Sequence, residues 1–201
     1  VPVPPGFTIT TEVCTIYNEK GRQFAVDLVR SEVEAAVAMI EELTGTKWGD
    51  KNNPCLVSVR SGSRASMPGM MDTVLNLGLN DEAVEGIARK SGNERFAWDS
   101  YRRFVQMFGD VVMHVEHKYF EEALELAKEA KGAKFDTELD ADDLKKVVSE
   151  YKSIIKKYAG KEFPQKPWDQ LKLAVNAVFN SWNNERAITY RKLNHINGLL
   201  G

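Results

Sequence analysis

The sequence predicts an α+β fold that carries a helical insertion. Three observations predict it. Two short runs rich in β-branched and apolar residues, 55–59 and 73–77, bracket a loop rich in Gly and Ser. From Asn80 onward the apolar residues recur at helical spacing, and after a linker at 160–167 the chain returns to helix until about Asn194. Residues 1–79 are accordingly read as an α+β part, 80–165 as a helical subdomain, and 166–201 as helices that return to the first part.

Residues 3–9 read as an extended segment at the beginning or edge of a strand, because Pro4 and Pro5 donate no backbone N–H. Thr10, Thr11 and Glu12 offer a cap for a short helix to about Asn18, which Gly21 breaks. Between Ala25 and Thr44, the residues Val26, Val29, Val33, Val37, Ile40 and Leu43 recur at three- and four-residue steps, with Asp27, Glu34, Glu41 and Glu42 opposite and Gly45 as a stop. Residues 50–54 form a turn cluster, and 55–59 are expected to form a buried strand. Residues 60–71 have neither period and read as a loop; 73–77 supply a second strand.

Asn80 caps a helix whose first turn holds Asp81 and Glu82, where the helix dipole favours acids. Asn93 caps the next, to about Phe108. That helix should be largely buried, since Phe96, Trp98, Tyr101, Phe104, Val105 and Phe108 occupy more than one face. A further helix covers about 119–130. Leu139 and Leu144 flank Asp140, Asp142 and Asp143 as a hydrophobic staple around a cap. The helix behind them carries Leu144, Val147, Val148, Tyr151, Ile154, Ile155 and Tyr158 on one face and lysines on the rest. Pro167 suits a first helical position. Leu171, Ala174, Val175, Val178 and Trp182 then mark a buried stripe, and a last helix covers about 184–194.

Composition excludes several classes. At 201 residues and 43% apolar content, the chain can bury the core of one domain with a subdomain. A net charge of -2 with interspersed signs leaves no basic stripe for nucleic acid and no polybasic tail for a membrane. No apolar run reaches about 18 residues and no signal peptide opens the chain, so a soluble intracellular protein is expected, in cytosol, plastid or glycosome alike. The first residue is not Met and the end, 197–201, is apolar and unfinished; both ends read as cut points. Cys14 and Cys55 are far apart in sequence and outside any C-x-x-C spacing, so both read as small buried thiols rather than a disulfide or zinc pair.

The loop after the first strand holds the most chemistry. Arg60 emerges at the strand's carboxyl end; Ser61, Gly62, Ser63, Arg64, Ala65, Ser66 and then Met67-Pro68-Gly69-Met70-Met71 follow. Small residues let a backbone approach a ligand and turn N–H groups toward it, and guanidinium matches phosphate. These parts make an anion cradle, though not a Walker A loop, because no Gly-Lys-Ser/Thr follows. An ordinary turn is the competing reading, and Arg64 would as readily pair with a nearby acid. His114 and His117 stand three apart, but a solvated helix start is favoured over a metal pair, and no metal site is expected. His195 has no acid, serine or cysteine arranged around it. Asp140, Asp142 and Asp143 lack the glycine and closing glutamate of a calcium loop, so they read as caps. Trp48, Trp98, Trp168 and Trp182 read as core or rim residues.

Several runs carry a resemblance. They are 58–73 (SVRSGSRASMPGMMDT) with its continuation VLNLGLND, then PGFTITTE at 5–12, RFAWDSYRRF at 95–104, FPQ at 163–165 and RAITYR at 186–191. Together they resemble the pyruvate, phosphate dikinase family over essentially the whole chain. Ser63 stands where the family commonly has Ala. The resemblance implies an ATP-grasp nucleotide-binding domain, here in part only. It implies an enzyme that turns ATP, phosphate and pyruvate into AMP, pyrophosphate and phosphoenolpyruvate through a histidine on a swivelling domain. Arg60 matches the catalytic arginine on the nucleotide's phosphates. The loop 61–71, with Gly69 near its tip, matches the one that covers the polyphosphate. On that basis Arg60, Ser61, Gly62, Arg64, Ser66, Met67, Gly69, Met70, Asp72 and Thr73 are the expected nucleotide- and phosphate-binding residues.

The resemblance also implies what lies elsewhere. A Gly-Gly-Lys-Gly segment with the ATP-binding lysine should precede Val1. The half of the site whose acids hold Mg²⁺ with ATP should follow Gly201. The carrier-histidine motif is not in this sequence, so His114, His117 and His195 are not the phosphohistidine. The expected partners are ATP and AMP, the swivelling domain, the pyruvate-binding barrel and a second subunit of a full-length homodimer. This piece alone is expected to be inactive. The competing readings are a phosphoenolpyruvate synthase-like dikinase, which the run 67–73 argues against, and a noncatalytic helical interaction module.

Overall fold

The computed structural model describes residues 3–63 and 65–196. Among them are eight α-helices and one two-stranded sheet, in the order α1 (Thr11–Lys20), α2 (Arg22–Thr44), β1 (Val57–Arg60), β2 (Thr73–Leu77), α3 (Ala83–Ser91), α4 (Glu94–Met107), α5 (His117–Lys131), α6 (Ala141–Ala159), α7 (Pro167–Ser181) and α8 (Glu185–Leu193). The fold is mostly helical with a small sheet, as the α+β expectation requires. Arg64 and the end 197–201 lie outside the described residues, as do Val1 and Pro2 at the start.

The helices begin and end where local chemistry says they should. Asn93 accepts the backbone N–H of Phe96 at 2.9 Å and starts α4. Asp140 accepts from Asp143 N–H at 3.0 Å while Asp143 accepts from Asp140 N–H at 3.2 Å, a reciprocal cap that opens α6. Leu139 and Leu144 on either side are fully buried, which completes the staple. Asn80 accepts from Glu82 and Ala83 N–H and so caps α3 from just ahead of it. Between α4 and α5 the chain widens into one π turn, Phe108–Val112.

Two early expectations are corrected. Residues 3–10 form no strand; they run without regular structure before α1. The run 55–59 is not a buried strand either. The strand begins at Val57, ends at Arg60, pairs antiparallel with β2, and alternates half-buried with exposed residues, as a strand with one covered face does. Val-Ser-Val-Arg has the two-residue period to match. Its register shifts between Val57–Leu77 and Val59–Val74, so β2 holds an extra residue there, and Asn76 takes the left-handed φ of 59° that such a bulge needs. The rule that puts ligands at the carboxyl ends of strands belongs to parallel sheets, so it gives no support to Arg60 in this antiparallel pair.

One contiguous apolar core extends from Val37 on α2 through β2, α4 and α6 to Ala174 on α7. At its centre Phe163, from the 160–167 linker, meets Tyr101, Phe104 and Phe108 edge-on, with ring centroids 5.5–6.2 Å apart. Such pairs add about 0.5–1.5 kcal/mol each beyond area burial. Phe96 departs from the expectation of a largely buried α4: it is exposed, while Arg102 on the same helix is buried and clasps Asp99 at 2.7 Å. Cys14 and Cys55 are both buried and free, and burial pushes the Cys14 thiol up.

Gln170 ties this core to the sheet. Its side chain is fully buried. Its carbonyl accepts from Gly78 N–H at 2.9 Å, and its amide donates to the carbonyls of Leu79 and Pro164, both at 2.8 Å. Gly78 has no room for a side chain, since a Cβ would stand 2.6 Å from the Cys55 carbonyl oxygen.

Two predictions follow from these contacts. Replacing Gln170 with Leu keeps the volume but strands three backbone groups at about 1–3 kcal/mol for each left unsatisfied. A urea melt should show a loss of at least 2 kcal/mol on that scale. The cap at α6 sets a pH dependence. Lys131 and the Asp143 N–H hold the Asp140 carboxyl down at about 2, below its usual value of 3.8. A depressed carboxylate stabilises the fold above its unfolded pKa and loses that contribution as pH falls through its folded pKa. The stability gap between wild type and Asp140→Asn should therefore be full at pH 6 and close between roughly pH 4 and 2, read by thermal melts across that range.

Candidate functional site

A cleft of about 670 Å³ opens beside β1. One wall is the irregular segment 4–11. The floor is apolar: Val33, Val37 and Ile40 of α2, Leu56, Val57 and Val59 at β1, and Leu171, Val175 and Val178 of α7. Arg60, Ser61, Gly62 and Met71 stand at its rim, where the chain leaves β1 and comes back toward β2. Among the described residues the walls carry hydroxyls and one guanidinium but no carboxylate. Arg60 is exposed and forms no ion pair with any described residue.

The loop itself is a long hairpin connection. Arg60 lies opposite Thr73, and residues 61–72 leave and return through that pair. At its tip Met67-Pro68-Gly69-Met70 makes a tight turn: Met70 N–H donates to the Met67 carbonyl at 3.1 Å, and Gly69 has φ +72°. Pro second and a left-handed Gly third is the signature of a type II turn. Met67 is buried and anchors the turn to the protein. Ser63 donates to the Ala65 carbonyl at 2.6 Å, a bond that Ala at this position would lack. Among the described residues, the amides of Ser61, Gly62, Ser66, Gly69 and Met71 donate to no protein acceptor.

The expected site residues do not all gather at the cleft. Arg60, Ser61 and Gly62 do. Ser66 and Gly69 lie farther along the loop, Met67 turns into the core, and Thr73 is a paired residue of β2. Met70 lies against α8, beside Arg186, Thr189 and Tyr190. Asp72 is committed elsewhere: its carboxylate pairs with Arg186 and accepts from Asn184 at 3.3 Å, and its N–H donates to Ser181 Oγ at 3.1 Å. Arg64 lies outside the described residues. Sequence reading named Met71 only as the end of the loop, and missed Ser181, Asn184 and Arg186 behind it. No periodicity marks them; their only signal is that the polar residues of 180–186 interrupt an apolar stripe.

His117 stands at the start of α5 between Asp110, 3.1 Å from Nδ1, and Glu121, 3.2 Å from Nε2. No group of three His, Cys, Asp or Glu residues among those described is placed to hold a metal ion. No helix among the described residues is long and apolar enough to cross a membrane.

Residues 22–198 match the family model described as pyruvate phosphate dikinase, AMP/ATP-binding domain. The chain belongs to this family. It is 56% identical over 199 residues to the pyruvate, phosphate dikinase of Clostridium symbiosum, covering 98% of this chain and 23% of that protein. It is 56% identical to the chloroplastic pyruvate, phosphate dikinase of Mesembryanthemum crystallinum, over 99% of this chain and 21% of the relative. With the pyruvate, phosphate dikinase of Giardia intestinalis it is 52% identical over its full length, 22% of that protein. The chain thus spans between a fifth and a quarter of the length of these relatives. The matches do not favour the synthase-like or helical-module readings.

Within this family member the loop tip offers a direct test of its backbone. A Cβ on Gly69 would meet nothing within 4 Å, so the only obstacle to Gly69→Ala is its left-handed φ. That conformation costs a non-glycine residue about 1–2 kcal/mol. The strain falls on an exposed turn, so amide exchange at 67–70 should quicken several-fold by mass spectrometry, and the melting temperature should fall by roughly 2–4 °C for each kcal/mol of strain.

Proposed function

We propose that these residues form part of the nucleotide-binding domain of a pyruvate, phosphate dikinase with an ATP-grasp fold. Residues 1–79 and 166–201 would make the α+β portion and 80–165 the helical subdomain. The full-length enzyme converts ATP, phosphate and pyruvate into AMP, pyrophosphate and phosphoenolpyruvate, passing a phosphoryl group through a histidine on another domain. Arg60 contacts the nucleotide's phosphates, and the 61–71 loop closes over them. The carrying observation is the exposed guanidinium of Arg60, free of carboxylate partners among the described residues, at the rim of a cleft flanked by unspent loop amides.

Phosphoryl transfer spreads negative charge over the phosphate oxygens, and catalysis rests on positioning and electrostatic stabilisation more than on covalent chemistry. A guanidinium and backbone amides provide fixed donors for that charge. A loop that closes also removes water, which strengthens each of these contacts. The carboxylate-free walls do not fit a bound magnesium ion, so any Mg²⁺ that accompanies ATP takes its protein ligands from outside these residues. Asp72 is better read as a group that shapes the loop than as a phosphate ligand, since a carboxylate repels phosphate.

Arg60→Ala in the full-length protein should lower turnover of the ATP half-reaction by about 10²–10³-fold, the scale of one preorganised donor. A helical interaction module would leave that turnover untouched. By calorimetry, Mg-ATP should bind the full-length protein tightly and this 201-residue chain weakly or not at all. Equal binding by both would contradict the assignment of further ligands to the rest of the protein.

A further inference from the structure

The two limbs of the 61–72 loop are held unequally. On the outgoing limb, Ser61 and Gly62 make no hydrogen bond to the body of the protein among the described residues. The returning limb is clamped to the corner between α7 and α8. Arg186 donates through Nε to the Met70 carbonyl at 3.0 Å, and through a terminal nitrogen to the Asp72 carboxylate. Its fork thus grips two points of the loop, two residues apart. Ser181, which is buried, accepts the Asp72 N–H and donates its own hydroxyl to the Val178 carbonyl at 2.7 Å. Asn184 supplies a second donor to the carboxylate. Asp72 is mostly covered, at 16% side-chain exposure, whereas Arg186 is 53% exposed.

This asymmetry sets how the loop can move. A hairpin connection fixed at the Arg60–Thr73 pair, at buried Met67 and again at Met70–Asp72 cannot swing as a whole. Its returning limb is held by α7 and α8, so the position of Met71 relative to the cleft depends on that clamp. We infer that Arg186 is a positioning residue for the proposed phosphate loop, acting through Asp72 and the Met70 carbonyl and touching no substrate itself. The inference rests on the reading of 61–71 as that loop. Charge makes the clamp specific: guanidinium spans a carbonyl and a carboxylate at once, which a lysine ammonium cannot do with fixed geometry.

The test uses the full-length protein carrying Arg186→Ala, Arg186→Lys, Asp72→Asn and, as a reference, Arg60→Ala. Misplacement by about 1 Å costs on the order of 10²-fold in rate. Arg186→Ala should lower kcat of the ATP half-reaction roughly 10- to 100-fold with KM for ATP nearly unchanged. Asp72→Asn should follow it, and Arg186→Lys should recover part of the loss. Amide exchange over 65–72 should speed up in step, while the melting temperature falls by no more than a few degrees, since Arg186 itself is half exposed although Asp72 is mostly covered. Unchanged turnover in Arg186→Ala with Arg60→Ala impaired overturns the positioning role. Unchanged turnover in both overturns the nucleotide reading beneath it. A rise in KM alone, with kcat intact, places Arg186 on the substrate and also overturns the inference.

Discussion

Three backbone groups that the sheet and linker cannot satisfy by themselves converge on one side chain, Gln170. Gly78 ends β2 with its N–H turned away from β1, Leu79 presents a carbonyl as the chain swings toward α3, and Pro164 does the same in the linker before α7. All three partners meet one fully buried carboxamide. Without it, the end of the sheet, the linker and α7 would each need water in a space that the core fills. With it, α7 is locked across the back of the hairpin. Val175 and Val178 therefore reach the cleft floor from one side of α7, while Ser181 reaches the returning limb of the loop from its end.

The same lock explains why a two-stranded sheet suffices. Isolated hairpins are marginal in water. Here β2 is buried at Val74 and Leu77, and α4 and α7 both pack against it, so the pair borrows its stability from helices on either side. The edge of β1 that faces away from β2 is left beside the cleft. A long connection between two strands is expensive in closure entropy, but the cost grows only slowly with length. The internal turn at 67–70 and the clamp on Asp72 reduce the number of residues that remain free.

The helices were legible because their signals are local. The reciprocal Asp140–Asp143 cap, the Asn93 cap, Pro167 and the three- and four-residue recurrence in α2 and α6 each lie within one turn or one helix. β2 was legible with the correct bounds, since its flanks are a loop and Gly78. The polar ties were not. Gln170 and the Asp72–Arg186 pair join residues up to 114 positions apart, and neither partner breaks any sequence period in a way that names the other. Burial of the run 55–59 was misjudged for a related reason. An apolar run of that length fits a strand covered on both faces, but how many faces are covered depends on what packs against the sheet. Of the site, Arg60 and the Gly/Ser composition could be read directly, whereas the commitment of Asp72 to Arg186 depends on a helix more than a hundred residues away.

That commitment decides the electrostatics of the loop. Asp72 sits one residue past Met71 at the cleft rim, and an unpaired carboxylate there would oppose any phosphate. Arg186 and Asn184 absorb its charge from behind, so the charged side chain that faces the cleft among the described residues is Arg60. One guanidinium is still too little. A nucleotide triphosphate carries several negative charges, and the chain as a whole is slightly negative at -2. Exposed charges a Debye length apart, about 8 Å at physiological salt, help little. Cations close to the cleft must therefore supply the balance. The chain spans between a fifth and a quarter of its relatives' length, which leaves the remaining protein ample room to bring them. On the proposed reading, a cleft with an apolar floor and, among the described residues, one cation is suited to share a polyphosphate with a second surface rather than to hold it unaided.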